Sequence, residues 1–259
     1  MSKNKVLYFD TETTDTQCKD ILQLAILTDN PDIWLNMYFK PIQEISFGAM
    51  AVHNITPEDV QECDTFEDAK LPKQGLDPEF KGFSLKEYLE YLAKEYIWVA
   101  HNVDFDVEVM QKKGIVIPNT ICTLKVARNA LTTPEGRDLE SYRLQFLRYY
   151  LGLYKNEDKG HVKAHDALSD VYFLRDLYKY LENNTKLSIE NMILISKQPQ
   201  VMREMTFGKY MGKTFEEIER TDREYLEWLV ESMADKPDLQ WNAKLALDNG
   251  IRNRTQSLF

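Results

Sequence analysis

The first apolar run of the chain, Val6-Leu-Tyr-Phe9, is followed at once by two carboxylates one residue apart, Asp10 and Glu12. Side chains alternate along a strand, so both point to one face and their like charges repel. On a strand led by four large apolar residues, and so central and buried, such a pair is costly unless a cation neutralises it. All-oxygen donors suit magnesium or manganese rather than zinc. A lone D-x-E also arises by chance on solvated edges in a chain with 42 acidic residues. A second acidic segment, His101-Asn-Val-Asp-Phe-Asp106, sits where a short buried strand meets a helix. Asp106 shares a helical face with Val109 and Met110 and looks inward, whereas Asp104 fits a first-turn carboxylate favoured by the helix dipole. The third segment, His165-Asp-Ala-Leu-Ser-Asp170, opens the longest helical pattern. Asp170 lies on the stripe continued by Leu174, Leu177 and Leu181, and a core aspartate needs a partner. His165, about 140° round an ideal helix from Asp170, falls on the preceding loop and can swing over the same site.

The elements that must position these groups are legible in outline. Residues 5–12, 21–28 and 33–39 read as three strands, joined by links short enough to make them antiparallel neighbours. Short helical pieces follow over 46–62, where Thr56-Pro-Glu-Asp59 is a good helix start, and 71–83 is a loop. Leu85, Tyr88, Leu89 and Leu92 give helical spacing over 84–96, with a buried strand at 97–100. A helix over 105–113 stops at Gly114, before a strand over 119–123. Helices are expected over 139–151 and 166–182, with a connector helix from Ser188 and a linker at 197–200. A second module opens near Met202, with a hairpin over 205–213 and a helix over 222–230.

The 259 residues carry 32 Lys plus Arg against 42 Asp plus Glu, a net charge of -10. That balance excludes a loose, nonspecific coat on nucleic acid, yet leaves room for a nucleic-acid enzyme whose metal supplies positive charge locally. No apolar run approaches the roughly 18 residues of a membrane span, and the amino terminus lacks the longer apolar stretch of a signal peptide. Cys18, Cys63 and Cys122 form no C-x-x-C pair, which argues against a disulfide framework or a zinc ribbon. No membrane association and a cytoplasmic location are the expectation.

Taken together, the three acidic segments resemble the motifs of the DEDDh (DnaQ-like) 3'-5' exonuclease superfamily. These read D-x-E on the first strand, H-N-x-x-F-D at a strand-to-helix junction, and H-x-A-x-x-D on the last helix of the domain. Asp10 and Glu12 match the first, Asp106 the second, and His165 with Asp170 the third, in the family's order. The spacing prefers Asp106 to Asp104, and His165 to His161. Ala51-Val-His-Asn-Ile-Thr56 is similar to the H-G-I-T segment lining the family's substrate groove, with Asn54 replacing its Gly. Ile121-Cys-Thr-Leu124 resembles its D-T-L element, with Cys122 in the Asp position.

The resemblance implies an α/β, ribonuclease-H-like fold over residues 1–184: a mixed five-stranded sheet flanked by helices, followed by a connector at 185–201. It also implies hydrolysis of terminal phosphodiesters at a free 3' end, releasing 5'-nucleotides, with two Mg2+ about 4 Å apart; Mn2+ would substitute. Asp10 would bridge both ions, Glu12 and Asp170 would hold the one activating water, Asp106 would serve the other, and His165 would be the general base. Thr13, Val52, His53, Asn102 and Phe105 become candidate contacts to nucleic acid. Residues 202–259, a small α+β module, resemble the C-terminal module of exodeoxyribonuclease X-like proteins in Phe207-Gly-Lys-Tyr-Met-Gly-Lys213 and Tyr225-Leu-Glu-Trp-Leu229. That resemblance favours DNA over RNA. Lys209 and Lys213 are its candidate phosphate contacts, against the alternative of solvated lysines over a mini-core or a protein-docking role. The neighbouring readings are an RNA-trimming exonuclease, a polymerase proofreading subunit, or a non-catalytic binding module on the same fold.

Overall fold

The computed structural model describes residues 5–17, 20–30, 33–72, 80–156 and 167–256. Its sheet begins with β1 (Val6–Thr13), β2 (Ile21–Thr28) and β3 (Trp34–Tyr38), paired antiparallel in succession. The β1–β2 register sets Asp10 opposite Ala25 and Glu12 opposite Gln23, and it shifts between Glu12 and Thr13. Every residue of β2 is buried, so both faces of the sheet are covered at this strand.

Two short helices follow, α1 (Phe47–His53) and α2 (Pro57–Val60). Next comes α3 (Leu85–Glu95), started by a reciprocal Ser84–Glu87 capping box that satisfies amides otherwise left bare. It leads into β4 (Ile97–Ala100), α4 (Val103–Lys112) and β5 (Thr120–Cys122). β4 lies parallel to β1 and β5 parallel to β4, giving the order β3-β2-β1-β4-β5 with β1 in the centre. Helix α4 is the crossover that parallel neighbours need. It starts at Val103, two residues earlier than the apolar spacing suggested, because Asn102 takes a left-handed backbone (φ 70°) and turns the chain directly from strand into helix.

Beneath one face of the sheet, Leu7, Phe9 and Trp98 pack with Tyr88, Leu89, Leu92, Val109 and Met110 of α3 and α4. Trp98 meets Phe9 edge-on at 4.7 Å and donates its indole N–H to the Leu92 carbonyl at 3.2 Å. Lys113, just past α4, reaches Asp20 at 2.9 Å and Glu67 at 2.8 Å, fastening the end of α4 beside the start of β2. Burial works against this ammonium, but the two carboxylates outweigh it and hold the Lys113 pKa above its ordinary value.

After β5 come α5 (Thr123–Ala130), α6 (Leu144–Tyr150), α7 (Ala167–Asn184) and α8 (Ile189–Ser196). Helix α7 packs on β1 and β2, with Tyr178 edge-on to Tyr8. Helix α6 starts only at Leu144, not at Leu139, because Tyr142 is used otherwise. Its hydroxyl donates to the Leu131 carbonyl and accepts from the Leu139 amide, tying down a loop.

The chain divides into two compact units, residues 1–124 with 143–196 and residues 125–142 with 197–259. The second therefore takes a segment from the middle of the chain, which a linear reading of boundaries does not anticipate. Arg203 holds that segment: its guanidinium donates to the Arg128 and Asn129 carbonyls and pairs with Asp138 at 3.0 Å. The unit is built on α9 (Phe215–Thr221), α10 (Arg223–Ser232) and α11 (Pro237–Gln256), around Met205, Phe215, Ile218, Leu226, Leu229 and Leu239. In place of an extended hairpin over 205–213 there is a single bridge, Glu204 to Thr214, closed by a one-turn 3-10 helix at Gly208–Tyr210. Gly208 and Gly212 both have positive φ, which bends the segment too tightly for a ladder.

Trp98→Ala should destabilise the first unit by about 3–5 kcal/mol through lost burial and the cavity left behind. Urea unfolding followed by circular dichroism checks it.

Candidate active site

Asp10 and Glu12 project from the end of β1 onto the face covered by α7, where they meet Asp170 in the first turn of that helix. One carboxylate oxygen from each lies within 4.8 Å of the others, and all three residues are half-buried. Among the described residues this is the one group of metal-ligating side chains so assembled. Three anionic oxygen donors at this separation, with no nitrogen or sulfur, fit a hard divalent cation of the magnesium or manganese kind.

The placement of Asp170 rests on a contact that the sequence did not advertise. Gln23 of β2, cross-strand from Glu12, is fully buried; its Nε2 donates to Asn36 Oδ1 at 2.9 Å and its Oε1 accepts from the Ala167 amide at 3.3 Å. The first residue of α7 is thus hooked to the row of the sheet that carries Glu12, and Asp170 follows one turn later. Gln145 Nε2 then donates to Asp170 Oδ1 at 2.8 Å.

Asp106 stands apart from the trio. It is buried in the first turn of α4, and its Oδ1 accepts from both the Thr11 amide (3.0 Å) and the Thr11 hydroxyl (2.7 Å). Thr11 is the residue between Asp10 and Glu12, so Asp106 holds the stretch of β1 that presents both. Burial pushes its carboxyl up to about 7, although the Thr11 hydrogen bonds pull the other way. Asp104 is exposed in the same turn, as its dipole reading required. His165 lies outside the described residues, as do His161 and Asp166.

The candidate groove residues behave differently from one another. His53 is buried: its Nδ1 accepts from the Ile55 amide at 3.0 Å, so the proton sits on Nε2, which donates to the Thr13 carbonyl at 3.3 Å. Burial lowers its pKa, and the neutral ring pins α1 to the end of β1. The Ser46 amide adds a second tie, to the Thr14 carbonyl at 2.9 Å. Asn54 ends α1 in the left-handed region (φ 60°), which Asn tolerates better than other side chains, and this explains how it stands in for Gly. Val52 is exposed on α1, and so is Phe47, whose 89% exposure in an uncharged helix the sequence reading passed over. Asn102 is exposed, Phe105 is partly buried against the core, and the Thr13 hydroxyl donates to the Asp15 carbonyl at 2.7 Å. His101 Nδ1 lies 2.9 Å from the Thr123 hydroxyl, joining the second motif to the Cys-Thr-Leu segment.

In the second unit Lys209 is engaged: its ammonium bonds Asp222 Oδ2 at 3.0 Å and lies over the rings of Tyr210 and Tyr225. The Tyr210 hydroxyl donates to the same oxygen, and Asp222 caps α10 through the Tyr225 amide. Lys213 is exposed.

A mixed sheet in the order β3-β2-β1-β4-β5, with clustered carboxylates at the end of its central strand and helices on both faces, is the ribonuclease-H-like architecture of nucleases. The model of the 3'-5' exonuclease family matches residues 54–186, half of the chain, and the chain belongs to that family. A second model, the exodeoxyribonuclease X-like C-terminal module, matches residues 205–232. Exodeoxyribonuclease 10 of Escherichia coli (strain K12) is 29% identical over 212 residues, 81% of this chain and 83% of that protein. The DNA polymerase III subunit epsilon of Buchnera aphidicola is 25% identical over 276 residues, 93% of this chain and all of the relative. Among solved structures, exonuclease X in complex with 5' overhanging duplex DNA superposes with a TM-score of 0.50 at 23% identity, covering 74% of this chain and 99% of that one. No helix among the described residues is long and apolar enough to cross a membrane.

Asp10→Asn should be at least as stable as the wild type in chelator, because it relieves repulsion within the trio. Added Mn2+ should raise the wild-type melting midpoint and leave the variant's nearly unmoved. Scanning fluorimetry with and without the cation measures both.

Proposed function

We propose that this exonuclease removes 5'-nucleotides one at a time from the 3' end of DNA, with two Mg2+ as cofactors and His165 as general base. The observation that carries the reading is the convergence of Asp10, Glu12 and Asp170, from the two ends of the catalytic sequence, within 4.8 Å. Asp10, Glu12 and Asp170 would hold the cations together with Asp106. Bound there, divalent cations neutralise the phosphate and stabilise the charge that develops on the attacking and leaving oxygens. The chain's own residues do the rest. His165 takes a proton from the attacking water as its oxygen bonds to phosphorus, and the P–O3' bond breaks, the departing O3' taking a proton from solvent to leave a 3'-hydroxyl on the shortened strand. Exposed Phe47 and Val52 on α1, beside the end of β1, offer apolar surface on which bases stack without meeting a charge.

DNA as substrate is supported by the similarity to exodeoxyribonuclease 10 and by the match to the exodeoxyribonuclease X-like module. We assign catalysis to the first unit, residues 1–124 with 143–196, and docking of nucleic acid or of a protein to the second, residues 125–142 with 197–259. With Lys209 committed to Asp222, Lys213 is the better candidate of the two for a phosphate. We propose a role in DNA repair in the cytoplasm.

Oligomers of DNA and RNA labelled at either end, each with Mg2+ and with chelator, test this reading. A ladder shortening from the 3' end of DNA, abolished by chelator, is expected; faster loss of RNA or cleavage from the 5' end would overturn it. Asp106→Asn should lose activity while Asp104→Asn keeps most of it, and the reverse ranking would mean the second motif is misaligned.

His165→Ala should slow hydrolysis about a hundredfold to ten-thousandfold with cation affinity intact. In the wild type the acidic limb of the pH–rate profile should report a group titrating near neutrality, and that limb should vanish in the variant. Collapse of cation affinity instead would make the imidazole a ligand.

A further inference from the structure

On α6, one turn apart on the side packed against α7, lie two polar residues that the motifs do not include, Gln145 and Arg148. Arg148 is buried despite its charge, its guanidinium 3.9 Å from the Phe173 ring centroid and 5.0 Å from that of Tyr149. Its Nη1 donates to Gln145 Oε1 at 2.9 Å, and Gln145 Nε2 donates to Asp170 Oδ1 at 2.8 Å. The orientation of a glutamine amide is ordinarily open to a flip, but here chemistry settles it. A guanidinium has no acceptor and a carboxylate has no donor, so the amide oxygen must face Arg148 and the amide nitrogen must face Asp170.

We infer that Gln145 and Arg148 form a positioning relay for the third carboxylate of the active site, in which the buried arginine fixes the glutamine and the glutamine fixes the Asp170 carboxylate. The inference rests on the reading of Asp10, Glu12 and Asp170 as cation ligands. An arginine placed directly on Asp170 would compete with the cation for its oxygens. A neutral amide between them delivers a directed hydrogen bond without placing a full positive charge at the site, and polarisation of the amide by Arg148 strengthens that bond. The aromatic packing of Arg148 removes its freedom to swing elsewhere, so the order of the chain runs from the core outward to the ligand. Partners of ligating carboxylates act in this manner, and their loss typically weakens cation affinity or activity about tenfold to a hundredfold.

Gln145→Met keeps the length and packing of the side chain and removes the donor. Calorimetric titration of the full-length chain with Mn2+, in the absence of DNA, should show affinity weakened about tenfold. On single-stranded DNA at fixed Mg2+, kcat should fall with KM nearly unchanged, and raising the cation concentration should recover much of the loss. Arg148→Met should move cation affinity in the same direction, and the double variant should be no worse than Gln145→Met, because the arginine acts through the glutamine. Unchanged cation affinity in Gln145→Met, or a lowered melting midpoint with affinity intact, would overturn the relay and leave a structural contact between α6 and α7. Additive losses in the double variant would overturn it as well. A wild-type chain that binds no Mn2+ at this trio would instead remove the ligand reading itself, and the relay with it.

Discussion

Three carboxylates within 4.8 Å of one another repel, and the first unit is organised to hold them there. A pair of unit charges about 4 Å apart costs about 4 kcal/mol at an effective dielectric near 20, comparable to a large share of a domain's net stability. A flexible site would relax by turning its side chains away. Here each carboxylate is held through backbone: Asp10 and Glu12 by antiparallel pairing of the end of β1 with β2, and Asp170 by a helix hooked to the sheet through Gln23. Asp106 closes the arrangement by gripping Thr11, the residue between the first two. On the proposed reading of the site, a divalent cation would relieve this repulsion on binding.

The two departures from the family pattern, Asn54 and Cys122, are accommodated by local structure. Asn54 occupies a left-handed position where Gly is usual, and its short polar side chain makes that backbone accessible. Cys122 is buried at the end of β5, where its amide donates to the Ser196 hydroxyl of α8 at 2.7 Å. His53 makes the complementary point, since a residue of the groove segment acts by fastening α1 to β1 with both ring nitrogens turned to backbone.

In the second unit the Phe-Gly-Lys-Tyr segment has a structural explanation. Lys209, Tyr210 and Asp222 join the 3-10 turn to the start of α10, with Tyr225 beneath the ammonium. The pattern of a lysine beside aromatics, which suggests phosphate and base contacts when read along the chain, is here a lock between two local elements. Nucleic-acid contact by this unit would fall on groups outside that lock, such as exposed Lys213, or on the exposed faces of Phe207 and Trp228.

The sequence by itself determined the strands, the antiparallel succession of the first three, the long α7, and the carboxylates that converge, because alternation, helical spacing and short links report which side of each element is buried and how it turns. Asp170 was legible for that reason: a charge on an apolar stripe demands a partner. It did not determine where helices α5, α9 and α11 lie, nor that residues 125–142 join the C-terminal unit, since Arg203 reaches those carbonyls across a gap that no local pattern encodes. Nor did it show that Asp106 grips Thr11, that Gln23 seats α7, or that Lys209 is committed to Asp222. Each is a hydrogen bond between elements distant in sequence, and a polar side chain reads the same along the chain whether it faces water, a backbone amide or a ligand. Only the tertiary structure decides which, because burial removes water as the alternative partner and leaves one geometry that satisfies both groups.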